Sequence, residues 1–231
     1  MPEQGNTTQE PILRPVLADS DFLIQVLWAK QRRLLGRLSS ERTIVVVEEV
    51  ESEVRWHRKF KGQFEPEFLR AVSAGEVTVL DRSLFRRLVG PNSDPTVAEL
   101  RFDEYQKSGQ RYCTHVGDGE AYTHAAAVRL LAPVFSHDHN AVRLLLGCGL
   151  PVGGPVLSFY DLLKFAVDEQ WLPSEKAAEV VKFLRNQGEW VPTAIPKGKC
   201  QNIFGEFETR IRRCGKENAA LWNDPPEFLE L

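Results

Sequence analysis

Short apolar runs alternate along the chain with longer stretches in which apolar residues recur every three or four positions. Val16-Leu17-Ala18 is the first such run and predicts a short strand, and residues 22–35 after it read as a helix. Ile44-Val45-Val46-Val47 is continuous and β-branched, as expected of a strand covered on both faces. Helices are predicted over residues 49–60 and 67–74, the second closed by Gly75, and Val77-Thr78-Val79-Leu80 makes a third strand. Residues 90–116 are less regular, broken by Pro91 and Pro95, with a short helix over 97–106. Gly117-Asp118 opens an alanine-rich helix to residue 131, with Asp118 suited to its N-cap. Val134-Phe135 is a fourth strand, residues 140–146 a short helix, and Leu150-Pro151-Val152 a last edge strand, where proline is tolerated. Two helices close the pattern near 158–170 and 174–187, the second opened by Pro173-Ser174 as cap signals.

Alternation of this kind implies an α/β fold with three layers, α/β/α, around a central parallel sheet, followed by extra C-terminal helices and a tail. Residues 1–15 form a polar arm with prolines at 2, 11 and 15, and residues 16–190 the domain, with an insertion at about 81–116. Residues 191–231 make an irregular extension, basic over 204–216 and then acidic and apolar. In parallel sheets of this class ligands bind at the carboxyl ends of the strands, so chemistry is sought there.

Composition narrows the picture only a little. A length of 231 residues suits one decorated domain, and a net charge of −3 gives no global attraction to nucleic acid or to a membrane. The four cysteines, at 113, 148, 200 and 214, form no CxxC pair, so neither a disulfide framework nor a zinc knuckle is signalled. No run approaches the roughly 18 apolar residues of a membrane span, and residues 1–10 lack the apolar core of a secretory signal. A cytoplasmic protein with reduced thiols is expected.

Acidic residues mark the predicted strand ends. Asp19 follows the first strand at once and Asp21 comes two residues later. Glu53 stands about one turn into the helix after the second strand, with Glu49 one turn before it on the same face. Asp118 and Glu120 open the alanine-rich helix, and Asp138 follows Val134-Phe135-Ser136-His137. Singly, each reads as a helix cap or a solvated charge. Jointly, carboxylates from separate segments at one sheet edge repel one another unless a cation neutralises them. Hard oxygen ligands in that number suit Mg²⁺ or Mn²⁺.

At these residues the chain resembles the PIN-domain family of bacterial and archaeal ribonucleases. VLADSDFLIQVL is similar to the opening of PIN domains, where an aspartate ends the first strand, and VVVEEVESEV resembles the second motif and selects Glu53. GDGEAYTHAAA resembles the GxGEAxAxALA segment and selects Glu120, and FSHDHNAVRLL resembles the [ST]-x-D-x-x-A-R motif, selecting Asp138 with Ser136 as an auxiliary hydroxyl. The likeness runs over about 16–188, through GLPV and WLPSEKAAEVVKFLRNQG. Asp21 adds a carboxylate where many members carry serine or asparagine, and residues 81–116 exceed the usual connection, in keeping with a lid or a partner surface. The resemblance implies a metal-dependent endoribonuclease in which Asp19, Glu53, Glu120 and Asp138, joined by Asp21, hold Mg²⁺ or Mn²⁺. In that mechanism a metal-activated water attacks the phosphodiester and no covalent intermediate forms. It also implies RNA as substrate, and as partners an antitoxin, if this is the toxin of a toxin–antitoxin pair, or a second copy in a homodimer. Some PIN domains are catalytically silent scaffolds.

One further resemblance touches the same acids. Asp19-Ser20-Asp21 and Gly117-Asp118-Gly119 are similar to the DxD and GDGxND motifs of haloacid-dehalogenase-like phosphatases, which would make Asp19 a nucleophile. Leu23 and Tyr122 depart from those motifs, and Tyr112 to His115 is too polar for a buried strand. For RNA contact the helix bearing Glu53 offers Arg55, Arg58 and Lys59, with other basic runs at 31–37, 82–87 and 210–216. His115, His124, His137 and His139 flank the acidic segments and read as exposed loop residues; Trp28 and Trp56 read as helix packing.

Overall fold

The computed structural model describes residues 15–57, 59–90, 93–138, 141, 142, 145, 156–189 and 191. Its centre is a five-stranded sheet built from β1 (Pro15–Ala18), β2 (Thr43–Val46), β3 (Thr78–Val79), β4 (Val134–Phe135) and β5 (Val156–Leu157), ordered β3-β2-β1-β4-β5. Every pairing is parallel, with Val16 beside Ile44, Val45 beside Thr78, Leu17 beside Val134 and Val134 beside Val156. Leu17, Ala18, Val45 and Val46 are buried without alternation, as strands sandwiched between helical layers require. The chain moves outward from β1 through β2 to β3, then returns to the other side of β1 as β4. The point where strand order reverses therefore lies between β1 and β4, and parallel sheets open a crevice there.

The helices that flank the sheet include α1 (Ser20–Trp28), α2 (Arg32–Ser39), α3 (Glu48–Arg55), α4 (Glu65–Ser73), α5 (Arg82–Val89), α6 (Pro95–Tyr112), α7 (Asp118–Leu130), α8 (Phe159–Asp168) and α9 (Ser174–Asn186). Together they give the three-layer α/β/α architecture. Among the described residues no helix is long and apolar enough to cross a membrane.

The single helix expected over 22–35 is two helices, broken where Lys30 takes a left-handed φ of 56°. Leu27 and Leu34 stay in phase across the break, and no glycine or proline marks it. The helix expected to reach residue 60 ends at Arg55, where the cap residue Trp56 leaves helical geometry (φ −115°, ψ 25°), and Lys61 (φ 46°) and Gly62 (φ 78°) then turn the chain towards α4. Within the 81–116 insertion, residues 90–116, expected to be less regular with a short helix over 97–106, carry the long helix α6, and α5 precedes it as its packing partner. Asp81 caps α5 through the Leu84 N–H (2.6 Å), and Asp94 caps α6 through the Thr96 N–H (2.7 Å) with Pro95 in the first turn. Ala98, Phe102, Tyr105 and Tyr112 line the buried face of α6, which packs along α7, so most of this insertion belongs to the helical layer. One cap assignment shifts by a residue, Gly117 rather than Asp118 capping α7, while α9 opens at the expected Pro173-Ser174 with Pro173 as its N-cap. Of the expected helix over 140–146, Ala141, Val142 and Leu145 are described and helical. The edge strand expected at 150–152 and the 192–231 extension lie outside the described residues.

Candidate metal centre

β1 ends at Ala18, and the next residue, Asp19, is wholly buried at the reversal point. Its Oδ1 accepts the Phe22 N–H (2.8 Å), which makes it the N-cap of α1, and its Oδ2 accepts the His137 N–H (3.3 Å) just beyond β4. Its own N–H donates to the Phe135 carbonyl (2.9 Å), so one residue ties together the ends of β1 and β4. Ser136 is buried beside it. Burial first, then the charges of Asp21 and Glu120, push the Asp19 carboxyl well above the usual carboxylate range, against the opposing pull of the Ser136 hydroxyl and the Phe22 N–H.

Asp21 sits in the first turn of α1, Glu120 in the first turn of α7, and Asp138 three residues past β4. Carboxylate oxygens of these three lie within 4.8 Å of one another, so Asp21, Glu120 and Asp138 form a group that could hold a metal ion. Glu120 is only 8% exposed. Burial, followed by Glu53, Asp21 and Asp138, pushes its carboxyl up to about 7, and burial, followed by Asp138, Glu53 and Glu189, pushes Asp21 up to about 6. No lysine or arginine among the described residues forms an ion pair with Asp19, Asp21, Glu53 or Glu120. Mutually repelling carboxylate oxygens, half or fully withdrawn from water, fit a small hard divalent ion such as Mg²⁺ or Mn²⁺.

Glu53 reaches the group from α3. Its Oε1 accepts the Gly119 N–H (3.0 Å), and a Cβ on Gly119 would stand 2.5 Å from its Oε2. A Cβ on Gly117 would collide with the Glu120 carboxylate. Both glycines of Gly117-Asp118-Gly119-Glu120 therefore make room for carboxylates. Glu49, one turn before Glu53, has its carboxyl raised by burial, then by Glu48, Asp118 and Glu53, so the acidic character continues along the α3–α7 seam.

Outside the carboxylates the surroundings differ from expectation in several places. A cleft of about 550 Å³ is lined by Ser20, Asp21, Ser52, Glu53, Trp56, His57 and Glu120. Trp56, expected to pack, stands 68% exposed in it, whereas Trp28 does pack, edge-on to Phe60 at 4.7 Å. His115 is exposed, but His137 is buried and His124 lies fully buried on α7, its Nδ1 3.5 Å from the Tyr112 hydroxyl. Burial lowers the His124 imidazole to about 4, so it is a neutral core residue at neutral pH. Arg55 donates to Glu65 (2.9 Å) and Glu51 (3.3 Å), and Lys59 pairs with Glu189 (3.3 Å) above the Trp28 ring. Arg58 and His139 lie outside the described residues. Cys113 is a free thiol, pushed up to about 12 by burial and by the neighbouring Asp118.

Sequence reasoning passed over Ser20, Ser52 and His57 as cleft walls and the Gly119 N–H as an anchor for Glu53. The i, i+3 spacing of Glu53 and Trp56 was the available signal for the exposed indole. Set beside known proteins, the chain matches no family model, no curated protein and no solved structure.

Proposed function

We propose that this chain is a metal-dependent endoribonuclease of the PIN type, which cuts RNA phosphodiester bonds at the Asp21–Glu120–Asp138 centre. One observation carries the reading: carboxylates from three separate elements converge within 4.8 Å at the reversal point of a parallel sheet. A bound Mg²⁺ or Mn²⁺ would neutralise the phosphate and lower the pKa of a water. The chain's residues have divided roles in this reading. Asp21, Glu120 and Asp138 hold the ion, and Glu53, fixed by the Gly119 N–H, presents a further carboxylate to the same cleft. Asp19 positions the others by clamping α1 to the end of β4 through its two oxygens. That engagement also weighs against the phosphatase alternative, since a nucleophilic carboxylate must meet phosphorus in the open.

The test is incubation of the full chain with a mixture of unstructured RNAs, with and without Mg²⁺ or Mn²⁺, beside Asp21→Asn and Glu120→Gln. Internal cleavage that needs the metal and falls at least about 100-fold in either variant is expected, since the divalent ion carries the charge stabilisation. Asp19→Asn is a poorer control, because an amide NH₂ would face one of the two backbone N–H groups that Asp19 now accepts. Intact RNA with both metals contradicts the nuclease and favours a silent scaffold. Phosphate release from a small phosphomonoester, with RNA left whole, favours the phosphatase.

A further inference from the structure

Trp56 presents an anomaly that folding alone does not explain. It caps the C-terminus of α3, one turn past Glu53, and the residue stands 68% exposed although aromatic surface is strongly stabilising when buried. The ring is not on a random face: it walls the same cleft as Asp21, Glu53 and Glu120. The Arg55 guanidinium carbon lies 6.0 Å from its centroid, and that guanidinium is in turn held by Glu51 and Glu65. The cleft thus has a carboxylate floor, an aromatic wall, and the polar side chains of Ser20 and Ser52. Its volume of about 550 Å³ matches the size of sites that take a single small ligand or one ligand group.

We infer that Trp56 is a specificity-determining residue: a stacking platform for one unpaired base of single-stranded RNA, next to the phosphate that is cut. The inference rests on the nuclease reading of the carboxylate centre. Every base offers a π-face, so an indole grips single strands without choosing sequence. A base inside a duplex is already stacked on both sides and cannot reach the ring without unpairing. Metal centre and indole together therefore select flexible RNA: one holds the phosphate, the other the adjacent base.

The experiment uses the full chain with Mn²⁺ and a fluorescent single-stranded oligonucleotide cut at one place, comparing wild type, Trp56→Ala and Trp56→Phe. Trp56→Ala should raise KM about 5- to 100-fold with kcat nearly unchanged, and Trp56→Phe should stay within about 3-fold of wild type, as loss and retention of one stacked base predict. An abasic substitution at the stacked position should raise KM for wild type by a similar factor and have no further effect on Trp56→Ala. Unchanged KM in Trp56→Ala, or an abasic effect equal in both proteins, overturns the stacking role while leaving the nuclease intact. A loss equal on single-stranded and duplex RNA overturns it too, since that marks a merely structural residue. If wild type cuts nothing, the nuclease reading fails, and anisotropy of the same oligonucleotide in Ca²⁺ decides Trp56. Weaker binding by Trp56→Ala sustains the platform; equal binding, or none by wild type, overturns it.

Discussion

Asp21 and Glu120 keep protons that the same groups in an unfolded chain would lose, because burial and neighbouring carboxylates push them up to about 6 and about 7. Their unfolded counterparts titrate near 3.8 and 4.5. Between these limits the folded state binds more protons than the unfolded one, so stability of the metal-free protein falls as pH rises from about 4 to about 7. Glu120 alone accounts for a loss on the order of 3 kcal/mol at the top of that window. Glu120→Gln, without metal, should therefore raise Tm by several degrees at about pH 8 and leave it unchanged at about pH 4, at roughly 2–4 °C per kcal/mol for a chain this long. Added Mn²⁺ should raise the wild-type Tm more at high pH than at low, because only deprotonated carboxylates bind it. A thermal-shift series over pH checks both, and a Tm for Glu120→Gln below wild type at every pH would mean that the carboxylate is structural. At this scale the sequence was a partial guide. Asp21, Glu120 and Asp138 stood out because each follows a strand or opens a helix. His124 and Trp56 were misjudged for one reason: a side chain's burial depends on which helix lies opposite, and that is set by α6 and by the end of α3.

Among elements, the seam between α3 and α7 matters most. It is closed by the hydrogen bond from the Gly119 N–H to Glu53, and both helices carry acids of the site. Gly119→Ala tests this contact with opposing expectations. Helix propensity alone would stabilise the variant by up to about 1 kcal/mol. The added Cβ, however, would stand 2.5 Å from Glu53 Oε2 and must displace that carboxylate. The expected outcome is a folded protein whose Mn²⁺ affinity and RNA cleavage fall at least about 10-fold, the size of effect that outer contacts of a metal site carry. Unchanged affinity and cleavage would show that Glu53 has no part in the centre. Strands β1 to β4 were legible, β2 most of all through its continuous Ile-Val run, whereas β5, two residues long at Val156–Leu157, was not foreseen. The gap between α1 and α2 carries no glycine or proline signal, and Lys30 adopts its left-handed turn under tertiary packing. The α5–α6 pair was legible in principle. Ala98, Phe102, Tyr105 and Tyr112 keep helical spacing, but the prolines at 91 and 95 drew attention to a loop where one of them starts a helix.

Across the whole molecule, topology rather than any single motif places the acids together. Strand order β3-β2-β1-β4-β5 brings the ends of β1 and β4 side by side, and Asp21 and Asp138 are separated by over a hundred residues of chain before their carboxylates converge. Charge distribution follows the same division. Among the described residues, Arg32, Arg55, Lys59, Arg82 and Arg86 pair with acids other than Asp19, Asp21, Glu53 and Glu120. A site so arranged attracts a cation first, and a polyanion only once that cation is bound. The most direct test of the central claim is Mn²⁺ anomalous diffraction from crystals of the full chain. The account predicts a peak with carboxylate oxygens of Asp21, Glu120 and Asp138 within about 2.0–2.3 Å, near the distances of a small hard dication. No peak there at millimolar Mn²⁺, or a peak only at other carboxylates, would contradict it.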